Sequence, residues 1–155
     1  MPDDTITLSE LHTADPRRIL GSRGEALAAR VLKAGGYRLV LLNFKAPIGR
    51  NLNGAEVTGE IDIIAFDGET LCFVEVKTKA TDEFSSPLST IDLRKQRQIA
   101  RTARVYRSIF GIRDIPVRYD AVSVLIPAAG RPLVSVHKGH WSEAVLQKKR
   151  WRDSL

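Results

Sequence analysis

The chain has 155 residues, 43% hydrophobic and 27% charged, with 24 Lys+Arg against 18 Asp+Glu. That length suits one domain, 1–155, with a real core, and the absence of low-complexity tracts and repeats excludes a disordered, fibrous or repeat protein. The +6 net charge favours polyanionic partners, nucleic acid or an anionic membrane surface, without bearing on fold.

Residues 1–14 read as a poorly ordered lead-in. The start, MPDDTITLSELH, is acidic and lacks the apolar run of a signal peptide, and no apolar stretch approaches the roughly 18 residues that span a bilayer. A cytoplasmic protein with no membrane partner is expected. Asp15-Pro16 offers one helix start and Ser22-Arg23-Gly24-Glu25, a capping-box pattern, a second. The helix carries Leu27, Ala28 and Val31 along one side and stops at Gly35-Gly36. Tyr37 to Phe44 reads as a strand, and Lys45 to Thr58, with its Pro, Gly and Asn, as a loop.

The stretch GEIDIIAFDGETLCFVEVKTK, residues 59–79, reads as a hairpin. With Asp67-Gly68 as a two-residue loop, Asp62 faces Phe73 and lies diagonal to Glu75; a four-residue loop, Asp67 to Thr70, sets Asp62 opposite Glu75; a three-residue loop separates them. One face collects Ile61, Ile63, Ala65, Cys72, Val74 and Val76, all core, which makes the single cysteine a buried inert thiol. The other is apolar near the turn but gathers Glu60, Asp62, Glu75 and Lys77 at its open end. Clustered carboxylates raise one another's pKa unless something positive lies between them. A divalent cation does that; Mg²⁺ takes hard oxygen ligands and keeps several waters. A lysine on the same face would then orient an attacking water or stabilise charge growing on a phosphate. Ordinary surface ion pairs at a strand end are the competing account.

DEFSSPLST is a second loop, and Ser89 or Thr90 caps a helix over about 91–110. On it Arg94, Arg97, Arg101 and Arg104 fall in one narrow stripe, while Ile99, Ala103, Tyr106 and Phe110 form the core side. No acidic residue lies between Arg94 and Arg113, so repulsion within the stripe is not relieved along the helix, which favours phosphate contact over a solvated face. VRYDAVSVLIP is a strand, GRP a turn, LVSVH a short strand, and WSEAVLQKKRWRDSL a helix that frays into a basic tail over 145–155. The tail's Trp151 among lysines and arginines suits nucleic-acid contact or a disordered terminus. The order of helix, three strands, helix, two strands and helix suggests an α/β or α+β sandwich with one central mixed sheet flanked by helices, and leaves the strand order open. His12, His137 and His140 make no zinc spacing with Cys72, and neither a P-loop nor a serine elbow is present.

Asp62 followed by Glu75-Val76-Lys77 resembles the PD-(D/E)xK motif of restriction-endonuclease-like nucleases. With GSRGEALAARVLKAGGY, Asn43-Phe44, GEIDIIA, FVEVKTK and Lys95-Gln96, residues 22–124 resemble the YraN family of bacterial proteins, which is similar to archaeal Holliday-junction resolvases. The resemblance implies an α/β fold, a restriction-endonuclease-like three-layer sandwich with a central mixed five-stranded sheet flanked by helices. It also implies Asp62 and Glu75 as metal ligands, the Val76 carbonyl as a further ligand, and Lys77 as catalytic lysine. Glu25 matches an acidic residue that such relatives bring to the site, though the capping box explains it equally well. Glu60 becomes an outer-shell group, and Lys95 and Gln96 reach toward the site. The implied function is Mg²⁺- or Mn²⁺-dependent DNA hydrolysis, with DNA ahead of RNA, branched DNA included, and a homodimer as in many relatives of the fold. The alternative is a nucleic-acid-binding module that recruits other proteins without cutting. Many family members run almost directly from Asn-Phe into Gly-Glu-Ile-Asp; the intervening Lys45–Thr58 here is expected to gate or reshape substrate access.

Overall fold

The structure, a computed structural model, describes residues 16–80, 88 and 91–147. The segments 1–14 and 148–155, Asp15, Ser89 and Thr90 lie outside these residues. Helix α1, Pro16–Ala34, is followed by strands β1, Arg38–Arg50, β2, Glu56–Asp67, and β3, Thr70–Lys79. Helix α2, Leu93–Ile109, then leads to β4, Val117–Leu125, β5, Leu133–Trp141, and a 3₁₀ turn over Glu143–Leu146. The sheet order is β1-β2-β3-β4-β5, with β3 and β4 parallel and the other pairs antiparallel. A parallel pair needs a crossover, and α2 provides it.

Each helix covers one sheet face, giving the expected three layers around a mixed five-stranded sheet. Ala28, Ala29 and Leu32 of α1 pack on Ile63, Ala65, Cys72, Val74, Val76, Val122 and Val124. Ile99, Ala100, Ala103 and Tyr106 of α2 pack on Ile61, Ile64, Leu71, Phe73, Tyr119 and Ala121. Burial raises the Cys72 thiol to about 12, as an inert core cysteine requires.

Several boundaries differ from the expectations. α1 does not restart at Ser22: the helix is continuous from Pro16, so Ser22 and Glu25 are interior residues and no capping box forms. Its buried line is Gly24, Ala28 and Leu32, and Val31 is 38% exposed. Gly24 decides this, because a Cβ there would run into the Thr78 hydroxyl, so the backbone itself lies on β3. The C-terminus ends as expected, with Gly36 at φ 95° and Tyr37 N–H donating back to the Leu32 carbonyl.

The supposed loop 45–58 is strand. β1 runs on to Arg50 and β2 begins at Glu56, leaving a tight turn over 51–55. Pro47 is tolerated because β1 is an edge strand, and the register shift between Pro47 and Gly49 absorbs Gly49 at φ 141°. The next turn is Gly68-Glu69, because Asp67 pairs with Thr70. Asp67 is held as a strand residue by Arg118 and Lys138 at 2.8 and 3.0 Å, and Gly68 takes φ 59° at the first turn position. Phe66 therefore pairs with Leu71, and one more step beyond Ile63–Val74 would set Asp62 opposite Glu75.

Asp92, not Ser89 or Thr90, caps α2, accepting from Lys95 N–H at 2.9 Å. Phe110 closes that helix at 57% exposure, so it is not a core residue. β5 extends well past the expected LVSVH. Among the described residues the last segment makes one 3₁₀ turn, where Arg97 Nε donates to the Val145 carbonyl at 2.8 Å that a continuing helix would use. Among the described residues no helix is long and apolar enough to cross a membrane.

Candidate functional site

The β2–β3 ladder ends at Ile63–Val74, and beyond it the Asp62 carboxylate replaces the strand partner, accepting from Val76 N–H at 2.8 Å. Side-chain alternation breaks at the same point: Ile61 belongs to the α2-side cluster, whereas Ile63 packs under α1. This corrects the expectation that both share a face. Asn43, across from Asp62 in β1, has φ 54°, so the neighbouring strand is also irregular there. An aspartate standing in for a strand edge thus opens the sheet where the charged residues meet.

Glu75 is 4% exposed. Burial first, then the charge of Asp62, raises its carboxyl to about 8, against the pull of Lys95 and Lys77. Asp62 is also raised, mainly by burial, and the two carboxyls share a hydrogen bond. Lys77 Nζ lies 3.5 Å and Lys95 Nζ 3.8 Å from Glu75 Oε1. Lys95 thus joins this cluster from α2, whereas Gln96 turns away and donates to the Ile91 carbonyl at 3.1 Å.

Glu25 comes from α1 on the other side of the opening. Its carboxyl is raised to about 7 by burial, then by the charges of Asp62 and Glu60, with exposed Lys45 opposing. Gly24 makes this approach possible, since α1 can sit against Thr78 only without a side chain at that position. Glu60 pairs in register with Lys45. Asp62, Glu75, Lys77 and Lys95 are therefore brought together, with Glu25 and Glu60 within electrostatic reach.

No group of three or more His, Cys, Asp or Glu is arranged to hold a metal ion among the described residues. The donor pair that does exist is two hydrogen-bonded carboxyls, hard oxygen ligands of the kind and number Mg²⁺ commonly takes while keeping waters. Burial and the charge of Asp62 disfavour an ionised Glu75, a conflict that a cation between the two carboxyls would relieve, so this donor pair fits a divalent cation.

A groove of about 450 Å³ opens beside the cluster, lined by Lys77, Lys95, Arg94, Arg101, Gln98, Asp92, Ile48 and Val57. The expected arginine stripe thus divides. Arg94 and Arg101 line this groove, while Arg97 is bonded to the 3₁₀ turn and Arg104 lies 3.8 Å from Glu143. Glu143, which no reading along the helix would find, relieves part of the repulsion. Ile48 and Val57 escape a reading of the sequence because the strands that bring them here look like loop, whereas Gln98 enters the groove from α2. The signal available was the branched, apolar pair Ile48 and Val57 either side of Asn-Gly punctuation. A larger cavity of about 630 Å³ between α2, β4 and β5 contains none of the sequence-predicted site residues.

The family profile described as "Uncharacterised protein family UPF0102" matches residues 24–124. A "UPF0102 protein" of Chlorobium limicola is 40% identical over 109 residues, covering 70% of this chain and 77% of the relative. The "UPF0102 protein GSU0650" of Geobacter sulfurreducens is 37% identical over 117 residues, covering 76% and 84%. Among solved structures, "Crystal structure of SSO0001" aligns with a TM-score of 0.40 at 18% identity, over 89% of this chain and 59% of that one.

Proposed function

Because the chain belongs to the UPF0102 family, whose name assigns no chemistry, we propose its function from the site itself: metal-dependent hydrolysis of a nucleic-acid phosphodiester, DNA ahead of RNA. The observation that carries this reading is the Asp62–Glu75 pair, a half-buried and a buried carboxyl set together beside two lysines at the head of a basic groove. Such an arrangement is costly in a purely structural role, and it combines the groups that phosphate hydrolysis needs.

In this reading Asp62 and Glu75 hold Mg²⁺ or Mn²⁺, with the Val76 carbonyl adjacent, and the ion supplies charge neutralisation at the scissile phosphate. Arg94, Arg101 and Lys95 hold the flanking phosphates. Lys77 orients the water whose oxygen joins phosphorus as the P–O bond to the leaving oxygen breaks. Glu25, raised to about 7, is poised to exchange the proton that this water releases near neutral pH. The resemblance to resolvase-like nucleases supports DNA as the substrate.

One observation favours a second reading, a module that binds nucleic acid without cutting. Both lysines lie against Glu75, where a cation would compete with them. A cleavage panel separates the two: labelled linear, flapped, four-way-junction and single-stranded DNA, plus RNA, each with Mg²⁺, Mn²⁺ or EDTA, and with Asp62→Ala as control. The nuclease reading expects cutting that needs metal and is abolished in Asp62→Ala. Metal-dependent cutting unchanged in that variant would refute the site. Salt-sensitive binding equal in EDTA, with no cutting under Mn²⁺, would select the binding module.

A further inference from the structure

Leu52 at the tip of the β1–β2 hairpin is fully exposed, yet the turn that carries it is held firmly. Asn51 N–H donates to the Ala55 carbonyl at 2.9 Å and Gly54 N–H to the Asn51 carbonyl at 3.0 Å. Asn51 Oδ1 accepts from Asn53 and Ala55 N–H, both at 3.0 Å, and Arg50 donates to the Gly54 carbonyl at 2.8 Å. Gly54, at φ 78°, supplies the left-handed residue that this closure requires. Single exposed apolar residues are ordinary, but here a braced backbone holds the leucine out at the hairpin tip.

The hairpin is also continuous with the basic groove. Ile48 and Val57, on its two strands, form part of the groove wall facing Lys77, Lys95, Arg94 and Arg101. Leu52 is four residues beyond Ile48, so the tip stands up to about 13 Å past that wall. A nucleic acid with its phosphates on the four cations therefore has bases within reach of Leu52. A leucine has no hydrogen-bonding group with which to read base edges, but it can cover a base face or wedge into an opened step.

Building on the reading of the groove as a nucleic-acid site, we infer that the hairpin is a substrate arm. Leu52 packs on an exposed base face beside the bound phosphates, so the site takes nucleic acid with an unstacked base step in preference to continuous duplex.

The test is binding in EDTA, measured by fluorescence anisotropy with a fully paired DNA duplex and the same duplex carrying a short gap in one strand. A 2-aminopurine at the gap edge gives a second readout. Wild type is expected to bind the gapped probe about five- to tenfold more tightly and to change the 2-aminopurine emission. Leu52→Ser should remove most of that preference while changing affinity for continuous duplex less than about twofold. Asn51→Ala, which keeps the leucine on a loosened turn, should fall between. Equal wild-type affinity for both probes, a preference retained by Leu52→Ser, or parallel weakening on both probes would each overturn the arm. Failure to bind either probe would overturn the arm and the groove together. Gap preference without cutting in parallel Mg²⁺ and Mn²⁺ reactions would defeat the nuclease reading while leaving the arm standing.

Discussion

Asp120 and Glu75 are both buried carboxyls on adjacent central strands, 0% and 4% exposed, and their surroundings push them in opposite directions. Burial alone would raise Asp120, but donors to it outweigh that effect: Arg118 Nε at 2.7 Å, Gly139 N–H at 2.9 Å and the Tyr37 hydroxyl at 3.0 Å hold it below the usual carboxylate range. Glu75 instead meets another acid, and is raised to about 8. Asp120 is therefore a structural acid, and Glu75 an acid whose charged form burial and Asp62 disfavour despite Lys77 and Lys95 beside it. A depressed folded pKa contributes stability that is complete above the unfolded value, about 3.9, and is lost as pH falls through the lower folded value. Wild type should thus show a steep fall in Tm below about pH 4. Asp120→Asn should lose about 2–4 kcal/mol at pH 7 and show a flatter acid limb. Thermal melts from pH 3 to 7 check this, and parallel profiles would show that Asp120 is not the responsible group. The network is hard to see in sequence because Tyr37, Asp67, Asp120 and Lys138 come from separate parts of the chain. Asp62, Glu75 and Lys77 are legible because a hairpin brings its own ends together, even though strict alternation breaks between Ile61 and Ile63.

Among the elements, two glycines set how closely the helices approach the sheet. A Cβ at Gly24 in α1 would run into the Thr78 side chain of β3, and one at Gly59 in β2 would run into the Thr102 hydroxyl of α2. Thr102 is already fixed, donating to the Gln98 carbonyl at 2.7 Å, so it has little freedom to yield. Gly24→Ala and Gly59→Ala should each cost about 1–3 kcal/mol. On the nuclease reading proposed above, their effects on cleavage should differ. Gly24→Ala displaces the helix that carries Glu25, and is expected to slow single-turnover cleavage by tenfold or more, on the order of 1.4 kcal/mol, well below its Tm. Gly59→Ala should lower Tm with a smaller loss of rate. Equal rates in both variants at matched distance below Tm would dissociate Gly24 from the site. The capping-box spacing at Ser22 was misleading here because Gly24 looked like part of a helix start, whereas it is a helix-interior contact. The 45–58 hairpin was hidden for a related reason: Pro47, Gly49, Asn51 and Gly54 are loop-forming residues, but an edge strand has room for a proline and a bulge, and only strand order reveals which strand is the edge.

At the scale of the whole molecule, the +6 charge becomes meaningful only once its cations are assigned to surfaces. The four arginines of α2 looked equivalent along the sequence, spaced by three or four without an acid among them. Tertiary structure separates them: Arg94 and Arg101 line the groove with Lys77 and Lys95, whereas Arg97 is spent on the Val145 carbonyl and Arg104 faces Glu143. Only the first pair is arranged to meet phosphate without giving up an existing partner across the chain. Each phosphate contact adds roughly one unit to the dependence of log K on log salt. Arg94→Ala/Arg101→Ala should therefore weaken DNA binding and reduce the salt slope by about 2, and Arg97→Ala/Arg104→Ala should change the slope by less than about 1. Duplex titrations between low and moderate KCl distinguish the pairs, because a general loss of positive charge would lower both slopes alike. Similar slopes for the two double variants would mean that Glu143 and the 3₁₀ turn release their arginines to the substrate. The groove would then extend along the whole helix rather than ending at the acid pair.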